Sequence, residues 1–175
     1  MTKCFITGNE AIAEAALRAG CRFFAGYPIT PQTEIPEILS KRLPEVGGHF
    51  IQGESEVASI YMVYGVAATG IRSMTSSSGP GLALKSEGIS FLAAGRIPAV
   101  IVNVVRGGPA IGTIQPSQQD YFSATKAPAP GGFKCFVLAP QSVQEAADLV
   151  YRAFDIADKY RTPVYVLADG MIGNM

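Results

Sequence analysis

A chain of 175 residues is long enough for one domain with its own core, and at this size roughly 65 to 75% of the unfolded surface can be buried. Only 16% of its residues are charged and 48% are hydrophobic, against a usual charged fraction of about 25%, so another chain is expected to cover part of the folded surface. Fourteen basic and fourteen acidic residues cancel and no Lys/Arg-rich run occurs, which excludes nucleic acid and anionic membranes as expected partners.

Taken in chain order, MTKCFITGNE has no apolar core of signal-peptide length. Thr7 to Glu10 reads as a capping box opening an Ala-rich helix to Ala19, with Gly20 in the place of a C-terminal glycine. CRFFAGYP reads as the first strand. Thr30 or Thr33 can cap the next helix; if Thr33 does, Pro36 falls in the first turn, where its missing N–H costs little. That helix is expected to end near Leu43-Pro44. HFIQ is a short second strand, and Ser55 to Thr69 is a helix apolar or small nearly all round, the pattern of a buried helix.

RSMTS is the third strand, followed by a helix from Gly81 to Ala94, the strand AVIVNVV, and an irregular stretch from Arg106 to Asp120. The strand KCFVL, a helix from Ser142 to Lys159 and the strand VYVLA complete the series. Strands alternating with helices imply parallel crossovers, hence an open, doubly wound and mostly parallel α/β sheet of about six strands with helices on both faces. Pro128 to Gly132 is too short to divide the chain, so residues 1–175 are expected to form a single domain.

The uncharged run Val57 to Ile71 falls short of about 18 residues and carries Ser, Tyr, Thr and Gly, so no membrane span is expected. Cys4, Cys21 and Cys135 are scattered with no C-x-x-C pair, which suggests neither a disulfide framework nor a zinc or iron-sulfur site and fits a reducing cytoplasm.

Gly26 to Thr30, Gln52 to Glu56, Ser76 to Gly81 and Arg106 to Asp120 each follow a strand, so a parallel sheet brings all four to one edge, where ligands of such sheets bind. Each fits two readings. Glu54 and Glu56 are two apart and on a helix cannot face the same way; both could complement the helix dipole, or Glu56 could sit poorly hydrated in the first turn. In the second case burial disfavours its charge while the helix N-terminus favours it, and a proton could be shared with a ligand. SSSGPGLALKSEG could cradle an anion or merely turn tightly from strand to helix; it lacks the Gly-Lys-Ser/Thr of a P-loop and does not complete G-x-G-x-x-G. Arg106 is either a solvated strand end or a forked partner for a carboxylate. RGGPAIGTIQPSQQD has the length of a functional loop. His49, the only histidine, has no plausible metal or triad partners and reads as structural.

Together GYPITPQTEI, QGESEVAS, TSSSGPG, and NVVRGGPAIGT followed by QQD resemble, in order and spacing, the N-terminal pyrimidine-binding domain of the α subunit of 2-oxoacid:ferredoxin oxidoreductases, of the 2-oxoisovalerate or 2-oxoglutarate type. The resemblance spans Gly8 to about Gly170. It implies thiamine diphosphate with Mg²⁺, oxidative decarboxylation of a 2-oxoacid to an acyl-CoA, and electrons passed through iron-sulfur clusters to ferredoxin. In thiamine enzymes one glutamate hydrogen-bonds the aminopyrimidine ring, and the matching residue is Glu56. The threonine of Y-P-I-T-P matches Thr30, beside cofactor and substrate; Ser78 and Gly79 fall at the cofactor; the substrate-carboxylate arginine matches Arg106.

Family α subunits usually continue into a further domain, whereas this sequence stops at Met175 and carries neither cluster cysteines nor a recognisable diphosphate-Mg²⁺ segment. The remaining parts are therefore expected on β and γ subunits, and the isolated chain is expected to be sticky or prone to form a homodimer. Two rivals share the fold: the corresponding domain of a non-oxidative thiamine decarboxylase or synthase, and a non-catalytic assembly domain.

Overall fold

The computed structural model describes residues 4–174; Met1–Lys3, which the N-terminal reading includes, and Met175 lie outside them. In chain order the elements are α1 (Gly8–Arg18), β1 (Phe23–Gly26), α2 (Glu34–Glu45), β2 (His49–Gln52), α3 (Glu56–Ala68), β3 (Ser73–Ser77) and α4 (Pro80–Ala94). There follow β4 (Ala99–Val105), α5 (Tyr121–Lys126), β5 (Phe136–Leu138), α6 (Val143–Tyr160), β6 (Pro163–Asp169) and α7 (Gly170–Asn174).

Local chemistry sets most boundaries. The capping box of α1 forms in both directions: the Glu10 N–H donates to Thr7 Oγ1 at 3.3 Å and the Thr7 N–H to the Glu10 carboxylate at 2.7 Å. Gly20, just past the helix, has φ +85°, a conformation that favours glycine. Ser55 and Ser142 cap α3 and α6, their hydroxyls accepting from the N–H groups of Ala58 and Glu145 at 3.1 and 3.2 Å.

The expected threonine cap of α2 is not made. Thr33 precedes the helix but is itself helical (φ −55°, ψ −34°) and its side chain bonds no helix N–H, while Thr30 lies in the preceding loop. Gln32 and Asn9 hold this turn instead: the Asn9 amide donates to the Pro31 carbonyl at 2.8 Å and to Glu34 at 2.7 Å. Helix α2 also runs one residue beyond Pro44, whose missing N–H matters little in a last turn.

All six strands are parallel, in the order β2-β1-β3-β4-β6-β5. Alternation along β4 builds two cores. Val100, Val102 and Val104 join Ile12, Leu39 and Phe154 under α1, α2 and α6. Ala99, Ile101 and Val105 join Ile60, Ile89 and Leu92 under α3 and α4. From β1 the chain moves outward to β2, then returns through α3 to β3 on the other side of β1; that reversal opens a crevice at the carboxyl ends of β1 and β3.

The two helical layers differ outside. Helix α6 shows water Gln144, Asp148, Asp155 and Lys159. Helices α3 and α4 show it Val57, Leu84 and Phe91, all exposed, so α3 is not buried all round as its composition suggests. One of its faces is bare apolar surface. At the sheet edge remote from the crevice Arg72 ties three elements together, donating to the Ala19 carbonyl at 2.6 Å and pairing with Asp155 and Asp158 of α6 at 2.6 and 2.8 Å.

Candidate active site

The four segments singled out from sequence all leave the carboxyl ends of β1, β2, β3 and β4, and their polar groups meet around the turn Ser77 to Gly81. Gly79, which precedes α4, has φ +45°, so a side chain there would be strained. A Cβ on it would lie 3.3 Å from Arg106 Nε. A Cβ on Gly81 would meet Ser77 Oγ and stand 2.9 Å from Glu56 Oε1. The two glycines thus let the α4 N-terminus approach both Arg106 and Glu56.

Glu56 is the first residue of α3 and is 8% exposed. Its carboxylate accepts no hydrogen bond among the described residues, although it faces the N-terminus of α4, whose free N–H groups favour negative charge. Glu54 lies outside the helix and is exposed. The pair is thus separated more completely than two positions on one helix would be.

Arg106 is also 8% exposed. Its guanidinium donates to the Thr30 carbonyl at 3.0 Å and to the Ile111 carbonyl at 2.8 Å, pinning the loops after β1 and β4, while Nε is buried without a partner. Two of five donors are used, and the edge containing Nε is left for a planar acceptor such as a carboxylate. The Thr30 side chain is exposed at the same mouth. Its loop is braced from below, where Ser76 Oγ donates to Gln32, whose amide donates to the Tyr27 carbonyl at 3.3 Å.

Ser77 Oγ, Ser78 Oγ and Arg106 Nε are buried with no partner. Native interiors seldom leave such groups unpaired, and here they cluster at one turn beside a free carboxylate, the pattern of a site built for a polar ligand. A cleft of about 650 Å³ adjoins it, walled by Gly79, Leu82, Asn103, Arg106, Asp120 and Tyr165. Asn103 donates to Asp120 at 2.9 Å and keeps an unpaired Oδ1. Neither Glu56 nor Thr30 is among its walls, so the cleft lies beside the carboxylate rather than around it. The segment Arg106 to Asp120 holds no helix or strand and folds back on itself through Thr113 N–H to Gly107 O (2.8 Å) and Gly107 N–H to Gln115 O (3.0 Å).

Sequence reasoning reached Ser77 and Gly81 only as part of the segment Ser76 to Gly81, and gave no role to Asn103 or Lys85. Lys85 could have been found: it stands four residues after Gly81, within the stripe Gly81, Lys85, Gly88, Ile89 and Leu92 that α4 buries. His49 begins the edge strand β2 in an exposed position. No group of three His, Cys, Asp or Glu side chains able to hold a metal occurs among the described residues, and no described helix is long and apolar enough to cross a membrane.

The family model described as "Pyruvate flavodoxin/ferredoxin oxidoreductase, thiamine diP-bdg" matches residues 14–175. Ketoisovalerate oxidoreductase subunit VorB of Methanothermobacter marburgensis is 53% identical over 175 residues, covering 100% of this chain and 50% of that protein. The 2-oxoglutarate synthase subunit KorA of Methanocaldococcus jannaschii is 46% identical over 171 residues, 98% of this chain and 47% of its own. The chain therefore spans about half the length of these curated relatives. Among solved structures, 2-oxoglutarate:ferredoxin oxidoreductase from Magnetococcus marinus, with 2-oxoglutarate, coenzyme A and succinyl-CoA bound, superposes with a TM-score of 0.94 at 37% identity, over 97% of this chain and 30% of that one. Sequence and fold agree that this chain belongs to the thiamine-diphosphate-binding family of pyruvate flavodoxin/ferredoxin oxidoreductases.

Proposed function

We propose that residues 1–175 are one pyrimidine-binding domain of the α subunit of a cytoplasmic 2-oxoacid:ferredoxin oxidoreductase, which converts a 2-oxoacid and CoA to an acyl-CoA and passes the electrons to ferredoxin. The observation that carries the reading is the Glu56 side chain, 8% exposed and accepting no hydrogen bond among the described residues, beside the orphaned polar groups of Ser77, Ser78 and Arg106. Those residues fit the aminopyrimidine half of thiamine diphosphate, which when bound supplies the nucleophilic carbon and electron sink that decarboxylation needs.

Glu56 holds the proton at the aminopyrimidine ring, and its place at the α3 N-terminus keeps the acid fixed while α3 and α4 keep water away. Ser78 and Gly79 line the cofactor. Thr30 lies beside cofactor and substrate, and the free edge of Arg106 takes the substrate carboxylate. The Mg²⁺ ligands for the diphosphate come from a partner subunit, and the iron-sulfur clusters sit on the other subunits, β and γ. The bare apolar face of α3 and α4 supports burial against such a partner.

Two measurements test this. Calorimetric titration with thiamine diphosphate and Mg²⁺ should show weak binding to the chain alone and much tighter binding once partner subunits are added; tight binding to the isolated chain would overturn the split site. In the assembled enzyme Gly81→Ala should lower cofactor affinity on the order of tenfold or more, because the new methyl group displaces both the Ser77 hydroxyl and the Glu56 carboxylate. Its fold should persist, since alanine suits a first helical turn. Unchanged affinity would show that neither Glu56 nor Ser77 is placed there for the cofactor.

A further inference from the structure

Lys85 is the one lysine or arginine side chain among the described residues with no exposed surface. It lies in the apolar layer between α3 and α4, where the helices pack so closely that a Cβ on Gly88 would come within 2.5 Å of Ile60. Its ammonium makes one hydrogen bond among the described residues, a long one of 3.4 Å to the main-chain carbonyl of Glu56, and no ion pair. An ammonium has three donors, and a buried cation so sparsely satisfied is costly. A methionine would fill the same space without that cost, so packing alone does not account for a lysine here.

We propose that Lys85 is a positioning residue for Glu56: anchored on the first carbonyl of α3, its buried charge opposes the Glu56 carboxylate from inside the helix pair and fixes the acid against Gly81. The proposal rests on the reading of Glu56 as the proton partner of the cofactor.

The surrounding charges support this pairing. Burial lowers the Lys85 pKa from 10.5 to about 8, opposed by the charge of Glu56. Tyr61 on α3 has Glu87 of α4 beside it, Tyr64 on α3 packs on the Phe91 ring, and Arg106 beyond β4 is engaged with the Thr30 and Ile111 carbonyls. Tyr165 on β6 is pushed up by burial and stays neutral. Below about pH 8 the ammonium is charged and holds Glu56; that hold is lost as pH rises through about 8. Stability moves the other way. Between about 8 and 10.5 the unfolded chain binds the proton that the folded chain has released, so stability rises with pH across that window.

The test uses the chain labelled with [ε-¹³C]lysine and followed by NMR. One lysine resonance should titrate near pH 8, vanish in Lys85→Met and titrate lower still in Glu56→Gln. Lys85→Met should melt at the same temperature or higher, since a buried charge has been replaced by an apolar group. In the assembled enzyme, calorimetry with thiamine diphosphate should show Lys85→Met weakening binding about tenfold, a size usual for coupled neighbours, with no further loss when Glu56 is already Gln. A Lys85 resonance that titrates with the surface lysines or ignores Glu56→Gln, a lowered melting temperature, or equal losses in both backgrounds would overturn the proposal. If Glu56→Gln alone leaves cofactor binding untouched while still moving the lysine midpoint, the underlying reading of Glu56 fails instead, and the functional part of the proposal with it.

Discussion

Glu56→Gln in the assembled enzyme should slow deuterium exchange at thiamine C2 on the order of 10²-fold or more, the usual scale for losing a positioned proton-transfer group. The amide keeps the size of the side chain and its place against Gly81 but cannot take up and return a proton. Glu54→Gln is the internal control: the two acids are only two residues apart, but Glu54 is exposed ahead of the helix while Glu56 is 8% exposed at its first residue. Measuring exchange rather than turnover removes CoA and electron transfer from the comparison. Equal small effects of the two substitutions would refute the assignment of Glu56.

Arg106→Met should raise the KM for the 2-oxoacid by about 10- to 100-fold, the scale of a lost hydrogen bond to a charged group, with little change in the KM for CoA. The buried guanidinium already anchors two carbonyls, which aims its free Nε edge at the site and reduces the entropy that a ligand must remove. Lysine should rescue only partly, since a single ammonium cannot hold both loop carbonyls and present a fork. Parallel increases for both substrates would point instead to collapse of the loops that Arg106 pins.

The parallel α/β architecture was legible because each strand and most helices carry local signals: a capping box, two serine caps, a β4 apolar but for Asn103. Parallel strands then place every post-strand segment at one edge without any long-range information, which is why the four segments could be singled out from sequence; the choice of Thr30, Ser78 and Gly79 within them, and the roles given to Glu56 and Arg106, came from the family resemblance. The short helices α5 and α7 escaped notice, being only 6 and 5 residues long, too short for a periodic pattern. The cap of α2 was misread for another reason, although Thr33 does stand at its N-cap position. Its turn is held by Asn9, 22 residues before Pro31 in the chain, and no local pattern announces a contact of that separation. Helix α3 shows a third limit: an apolar composition indicates that a surface will be covered, but not whether its own chain or another one covers it.

The Arg72 cluster has a consequence for ionic strength. Arg72, Asp155 and Asp158 are partly open to water, with side-chain exposures of 29, 64 and 44%, so dissolved ions can screen their attraction. At the opposite end of the same strands, Glu56, Lys85 and Arg106 are withdrawn from solvent and are screened far less. Added salt should therefore loosen the seam joining β3, α1 and α6 slightly while leaving the charged groups of the crevice nearly as they were. Sensitivity to salt and capacity for chemistry are thus placed at opposite ends of one sheet.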